Sequence, residues 1–155
     1  MKRFAIASLL AISTLSAFAQ VTVQEPWVRG TVPQQKATGA FMQLKAEKDS
    51  RLVSAKSPVA GVVEIHDMAM EKDVMKMRAL PNGLELPAGK SVELKPGGYH
   101  VMLMDLKQQV KEGDTVPITL IVEGKDKKQT IIEIKAPVKA LGATTTKMDS
   151  EHKHH

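Results

Sequence analysis

Histidine and methionine recur at every second position in three short segments of the sequence. Nine methionines occur among 155 residues, and six of them lie between positions 68 and 104. The three segments are His66-x-Met68-x-Met70, Met75-x-Met77 and His100-x-Met102-x-Met104. Side chains alternate between the two faces of a β-strand, so each segment presents its histidine and methionines on one face. Alternate residues stand about 6.6 Å apart along a strand, which allows two long side chains to bind one ion.

These side chains suit a soft metal ion. Thioether sulfur is a neutral, soft ligand that favours Cu(I), and imidazole also binds copper. A site of two histidines and two methionines carries no negative charge, which favours a monovalent ion over Zn(II), and Ag(I) should act as a mimic. Calcium and magnesium need carboxylate oxygens, and the sequence has no acidic loop of the required spacing. The sequence therefore predicts a Cu(I) site.

The alternative for each of these residues is an ordinary place in the hydrophobic core. Methionine is a flexible core filler, and a histidine on an apolar face is more often hydrogen-bonded than bound to a metal. The conjunction favours the metal, because both histidines that precede residue 139 begin a methionine-bearing alternation. Packing alone does not require that coincidence.

The composition argues against several classes of function. Cysteine is absent, so the chain has no disulfide, no thiolate nucleophile and no blue-copper site, which needs a Cys thiolate beside two histidines. Neither histidine of the predicted domain lies in a recognisable nucleophile motif, and we do not expect an enzyme. The 22 Lys and Arg alternate closely with 17 Asp and Glu, and five aromatic residues offer no stacking platform. We therefore expect a protein that carries a metal ion and does not bind nucleic acid.

The chain divides into a leader, one domain and a tail. Residues 1–19 combine Lys2 and Arg3 with a short apolar run and an A-x-A ending, which predicts a cleaved signal peptide, an exported protein and no permanent membrane span. From residue 20 to 138, short alternating segments separated by Gly, Pro and Asn turns predict a single all-β antiparallel sandwich or barrel. Pro26 in the first segment indicates an edge position or a bulge.

The predicted tail, residues 139–155, has little to bury and should be mobile. It carries a second group of candidate ligands: Met148, His152, His154 and His155. A histidine-rich terminus of this kind can hold Cu(II) weakly. The alternatives are a solubilising tail and a remnant of an expression tag.

Three motifs resemble one known family. The segments TVPQQKATGAFM, EIHDMAMEKDVMKMR and LKPGGYHVMLMDLK closely resemble those of PCuAC proteins, an extracytoplasmic family of periplasmic copper chaperones. The resemblance spans Val21 to Pro137, nearly all of the domain. It implies a cupredoxin-like Greek-key β-barrel that binds Cu(I). It also implies delivery of copper to the Cu(A) centre in subunit II of cytochrome c oxidase, alone or with a Sco-type thiol protein.

The resemblance further implies the ligands His66, Met77, His100 and Met102. Ten residues separate the first two, as in the family, whereas 22 separate Met77 from His100, one more than in the family pattern. The extra residue leaves Met75 open as the alternative to Met77. The remaining methionines would form a hydrophobic collar or stations for transfer: Met68, Met70, Met75 and Met104. Copper storage or resistance, and a metal-free sandwich that binds a protein through its methionines, stay open as other functions.

Overall fold

The computed structural model describes residues 21–140 of the chain. Within those residues it contains ten β-strands and no helix. The strands are β1 (Val21–Arg29), β2 (Ala37–Ala46), β3 (Ser50–Lys56), β4 (Ala60–Glu71), β5 (Val74–Ala79), β6 (Leu84–Leu86), β7 (Ser91–Leu94), β8 (His100–Leu106), β9 (Thr115–Gly124) and β10 (Gln129–Lys139). The predicted all-β class is confirmed.

Two predictions fall outside the described residues. One is the signal peptide of residues 1–19. The other is the candidate Cu(II) site of the tail, formed by Met148, His152, His154 and His155. For residues 21–140, no helix has the length and apolar character that a membrane crossing requires.

The strands form one folded sheet with crossed connections. Hydrogen bonds join them in the order β5-β4-β8-β2-β1-β10-β9-β3-β6, and β7 also pairs with β2. All neighbours are antiparallel except β1 and β10. Strands that are far apart in sequence lie side by side, as β8 does between β4 and β2, which is the connectivity of a Greek-key sandwich.

The core lies between the two layers of the sheet and is almost free of methionine. Alternate residues of the strands are buried there, as expected from the period of two in a strand. In β8 these are Val101 and Leu103, and in β9 they include Ile118 and Leu120. Of the methionines in residues 21–140, only Met42 belongs to this core. Core packing therefore does not account for the other six.

A bulge in β1 positions a buried tryptophan. The pairing of β1 with β2 shifts register between Gln24 and Trp27, and Glu25 has a positive φ of 50°. The irregularity predicted at Pro26 is thereby confirmed. After the bulge, Trp27 stands opposite Phe41 of β2.

The hairpin of β4 and β5 projects past the rest of the sheet. The last cross-strand pair between β4 and β8 is His66 with His100. Beyond that pair, in the described chain, β4 pairs with β5. We name residues 67–78 the arm. Both turn residues, Lys72 and Asp73, have positive φ values of 48° and 62°, as a type I′ turn requires.

Replacing this turn by Asn-Gly should stabilise the arm. A residue with a Cβ is strained by on the order of 1 kcal/mol in the left-handed region, and Asn-Gly is the preferred type I′ pair. In Lys72→Asn/Asp73→Gly we expect the amide protons of Ala69 and Lys76, which face each other in the arm, to exchange with solvent more slowly than in the wild type.

The matched control is Lys127→Gly. This substitution relieves a positive φ of 67° in the turn between β9 and β10 and should leave the exchange of the arm amides unchanged. Equal exchange rates in the wild type and the Asn-Gly variant would contradict a strained turn in the arm.

Candidate metal centre

His66 and His100 lie side by side on the outer face of the sheet. They are direct cross-strand partners in β4 and β8. Their ring centroids are 5.5 Å apart and the rings meet edge to face, at 64°. Only 8% of His66 and 6% of His100 is exposed. The fold thus brings together two of the predicted ligands, and it buries both.

Each imidazole is held through one ring nitrogen and leaves the other free. Nε2–H of His66 donates to Oε2 of Glu64 at 2.7 Å, and Nδ1–H of His100 donates to the carbonyl oxygen of Gly98 at 2.9 Å. A carboxylate and a carbonyl only accept, so these bonds fix both tautomers. The remaining nitrogens, Nδ1 of His66 and Nε2 of His100, are buried without a hydrogen-bond partner. This is the usual arrangement of metal-ligating histidines, in which an outer partner orients the ring.

An aromatic layer supports His100. The ring centroid of Phe41 lies 6.4 Å from that of His100 and 4.6 Å from that of Trp27. Exposure is 3% for Phe41 and 1% for Trp27, so both rings are buried rather than in contact with solvent. Gly39 makes space for this layer, because a Cβ there would stand 2.7 Å from Cζ of Phe41.

Burial lowers the pKa of His100. Loss of hydration is the largest cause, and the charge of His66 acts in the same direction. The hydrogen bond to the carbonyl of Gly98 opposes the shift. A lowered pKa keeps the imidazole neutral near pH 7, and a neutral imidazole is the form that binds a metal.

The methionines share the face of the histidine pair and flank it on two sides. Directly opposite residues of neighbouring strands point to the same face, so the register locates each side chain. Met102 stands opposite Glu64 and Gly39, one step beyond the pair along β8. Met68 stands opposite Met77, one step from the pair in the other direction. The two predicted thioether ligands, Met77 and Met102, therefore flank the histidine pair on opposite sides.

The other methionines lie further out. Met70 and Met75 form the next cross-strand pair towards the tip of the arm, and Met104 lies at the opposite end of the face. Met77 is thus one cross-strand pair closer to His66 than Met75 is. The register favours Met77 between these two alternatives.

Met68 is also close to the histidine pair. It follows His66 at the second position on the same strand, about 6.6 Å away, whereas Met77 is the diagonal neighbour of His66 at about 7 Å. Met68 is half-buried and 51% of Met77 is exposed. The sequence places Met68 in a collar around the centre, and the structure places it beside a candidate ligand.

Sequence reasoning missed two residues that shape this centre. Glu64 orients His66 through the hydrogen bond given above, and Phe41 packs beside His100. The signal for Glu64 was its position two residues before His66, on the same face of a strand. Phe41 carried no such signal, because its contact with His100 comes from the pairing of β2 with β8.

The reverse side of the arm is charged. Arg78 donates from Nε and Nη2 to the two carboxylate oxygens of Asp67, at 2.8 and 3.0 Å. This guanidinium holds the pKa of Asp67 below its usual range. Lys76 and Glu71 form a second, exposed ion pair at 3.5 Å. The arm therefore presents methionines on one side and ion pairs on the other.

Other parts of the described chain offer no competing metal centre. No group of three or more His, Asp or Glu side chains in residues 21–140 is arranged to hold a metal ion. An open groove of about 560 Å³ near β3 and β6 is lined by no histidine. Its charges are paired, Arg51 with Glu85 and Lys125 with Asp49.

The lowered pKa of His100 predicts a pH-dependent stability of the metal-free protein. Well above pH 6.5, the ordinary value of its pKa, the ring is neutral in the folded and the unfolded chain, and it adds no pH dependence. Below that pH the unfolded chain binds a proton that the folded chain resists, so the free energy of unfolding falls until the folded pKa is reached, by at most about 1.4 kcal/mol per pH unit. Urea denaturation between pH 7.5 and 5 should show this slope.

The variant His100→Gln removes the titrating ring and should lose that part of the slope. Equal pH dependence in the wild type and the variant would contradict a buried, neutral His100.

Two relatives in sequence are described as an uncharacterized protein and a putative lipoprotein. An uncharacterized protein of Rickettsia prowazekii is 30% identical over 135 residues, which cover 84% of this chain and 74% of that protein. A putative lipoprotein of Leifsonia xyli subsp. xyli is 28% identical over 100 residues, or 64% of this chain. The match spans 60% of the length of the Leifsonia protein.

Solved structures share the fold. The Cu(I) form of DR1885 from Deinococcus radiodurans gives a TM-score of 0.58 at 34% identity, over 83% of this chain and 85% of DR1885. The copper-bound PCuAC domain from PmoF2 gives a TM-score of 0.60 at 23% identity, over 77% of this chain and 92% of that domain. These likenesses confirm the cupredoxin-like Greek-key fold. Residues 21–149 match the family described as putative lipoprotein LpqE-like, and the chain belongs to that family.

Proposed function

We propose that this protein is a periplasmic copper chaperone of the PCuAC type, which holds Cu(I) at the histidine pair and releases it to another protein. One observation carries the proposal: His66 and His100 are cross-strand neighbours, and Nδ1 of His66 and Nε2 of His100 are buried without hydrogen-bond partners on a face otherwise rich in thioethers. A metal ion that accepts an electron pair from each nitrogen would satisfy both of these buried atoms. Thioethers beside them select a soft ion.

The ligand set favours Cu(I) over other metals. His66, His100, Met77 and Met102 are all neutral donors, so a monovalent ion is bound without a surplus of protein charge, and Zn(II) gains no carboxylate or thiolate. Glu64 is not one of these four ligands, and it accepts a hydrogen bond from His66. Its charge polarises the ring and strengthens the donor nitrogen opposite.

Relatives support the same metal. The similar structure from Deinococcus radiodurans is a Cu(I) form, at 34% identity over most of both chains. The family and one sequence relative are described as putative lipoproteins. That description supports an exported protein, in agreement with the predicted signal peptide of residues 1–19.

The centre suits carriage better than catalysis. Its ligands are neutral and exchange readily, and no thiol is present that oxygen or a disulfide catalyst would oxidise. The histidine pair is accessible from one side, where the side chain of Met77 is exposed. A receiving protein can therefore approach from this side and replace the histidine and methionine ligands of the ion one at a time.

Removing both thioether ligands should abolish tight binding. In Met77→Leu/Met102→Leu the side chains keep their volume and lose their sulfur, and neither position belongs to the core. We expect this variant to lose Cu(I) to a Cu(I)-specific chelator at concentrations at which the wild type retains it. Circular dichroism should show the same sheet in both proteins.

Two single variants serve as controls. Met104→Leu removes a thioether at the far end of the face and should bind as the wild type does. Met68→Leu tests the neighbour of His66, and it should retain tight binding if Met77 is the ligand. Wild-type affinity in Met77→Leu/Met102→Leu would overturn the proposed ligand set.

We further propose that the receiver is the Cu(A) domain in subunit II of cytochrome c oxidase, reached directly or through a Sco-type thiol protein. The Cu(I)-loaded chain, mixed with that domain and then separated from it, should lose copper to the domain, with or without the thiol protein. The same domain mixed with a Cu(I)–chelator complex at equal free Cu(I) is the control. Copper retained by the chain in both mixtures would contradict delivery and leave storage as the function.

A further inference from the structure

The arm carries methionines in two consecutive cross-strand pairs. Met68 faces Met77, and Met70 faces Met75. The backbone N–H of Leu80 donates to the carbonyl oxygen of Ile65 at 2.8 Å, which makes these two residues a hydrogen-bonded pair. Hydrogen-bonded and non-hydrogen-bonded pairs alternate along an antiparallel ladder. Both methionine pairs therefore occupy non-hydrogen-bonded positions, where side chains stand closest.

The spacing places four thioethers within reach of one ion. Cross-strand neighbours at such positions have Cβ atoms about 5 Å apart, and successive pairs on one face are about 7 Å apart. The four Cβ atoms thus mark the corners of a small rectangle on one surface. Methionine has three rotatable bonds, so four sulfur atoms above this rectangle can converge on its centre.

Exposure increases along the arm away from the histidines. His66 is 8% exposed, Met68 is half-buried and Met70 is 65% exposed, while Met75 opposite Met70 is 46% exposed. These side chains contact no core, and the reverse side of the arm is occupied by its ion pairs. The soft ligands therefore form a continuous row from solvent to the buried imidazoles.

We propose that the arm is a second Cu(I) site, formed by Met68, Met70 and Met75 and sharing Met77 with the histidine centre, at which the ion is accepted before it moves inward. This inference rests on the proposed function, because it supplies the route to that centre. A site made of thioethers alone is neutral and soft, and it is weaker than one that includes imidazoles. The ion therefore moves towards the histidines.

The movement is an exchange of ligands at constant oxidation state. Met77 keeps its bond to Cu(I) while the bonds to Met68, Met70 and Met75 break. Bonds to Nδ1 of His66, Nε2 of His100 and the sulfur of Met102 form in their place. Both nitrogens already hold a free electron pair in the tautomers fixed by Glu64 and Gly98. The exchange therefore needs no electron, and no proton has to leave the ligating nitrogens.

The test uses the full chain labelled with carbon-13 in its methionine methyl groups and nitrogen-15 in its histidine rings, titrated with Ag(I), a stable mimic of Cu(I). The first equivalent should shift the imidazole signals of His66 and His100 together with the methyl signal of Met77. The second equivalent should shift the methyl signals of Met68, Met70 and Met75. Unmoved methyl signals of Met70 and Met75 after two equivalents would overturn the second site.

Variants separate this inference from the proposed function. In Met70→Leu/Met75→Leu we expect the second shift at Met68 to be lost, and Cu(I) uptake from a chelator complex to slow, while the affinity for the first equivalent stays unchanged. Met104→Leu is the matched control and should behave as the wild type. Uptake at the wild-type rate in Met70→Leu/Met75→Leu would overturn acceptance by the arm.

A different result of the same titration would contradict the proposed function. Imidazole signals that stay unmoved at every Ag(I) concentration would remove the histidine centre, whether or not the arm responds. Shifts of the imidazoles with no response from the arm would remove the second site alone.

Discussion

The pairing of β4 with β8 fixes the rest of the site. His66 stands opposite His100 in that pairing, and Ile65 stands opposite Val101 on the other face. Burial of Val101, Leu103 and Ile65 stabilises the fold by about 1.5–3 kcal/mol for each side chain. A slip of one residue would turn these apolar groups outward and the histidines inward. The hydrophobic core therefore sets the register, and the register sets the position of every candidate ligand.

The histidine centre opposes stability in the metal-free chain. Two buried imidazole nitrogens lack hydrogen bonds, and each such group costs about 1–3 kcal/mol. The surrounding structure tolerates this, because Glu64, the carbonyl of Gly98 and the ring of Phe41 hold the imidazoles in place. In the proposed function, a bound metal ion would supply the interactions that these two nitrogens lack. Unsatisfied polar groups of this kind are concentrated at functional sites in folded proteins.

Local patterns in the sequence predicted the fold class and much of the candidate site. The alternation of His and Met with apolar residues marked which side chains share a face, and Pro26 marked the bulge in β1. Long-range pairing was not readable. The choice between Met75 and Met77 depends on how β5 lies against β4, and the contact of Phe41 with His100 depends on β2 lying beside β8. Neither is encoded by neighbouring residues.

The short strand β6 shows a further limit of sequence patterns. Leu84–Leu86 lies within a segment rich in Pro, Gly and Asn, which is typical of turns. Its strand conformation comes from pairing with Ser50–Leu52 of β3. Three residues are too few for a recognisable alternation, so tertiary contacts decide this element.

The position of β5 at the edge of the sheet has a consequence for self-association. An edge strand presents unpaired backbone groups that recruit strands of other chains, and an apolar edge aggregates. All six residues of β5 are exposed, and its methionines alternate with Lys76 and Arg78. A second copy paired along this edge would have to accommodate these charged side chains and their ion pairs with Glu71 and Asp67. The alternation that leaves the methionines exposed thus also places charged side chains on the edge strand, and such charges disfavour edge-to-edge pairing with a second copy.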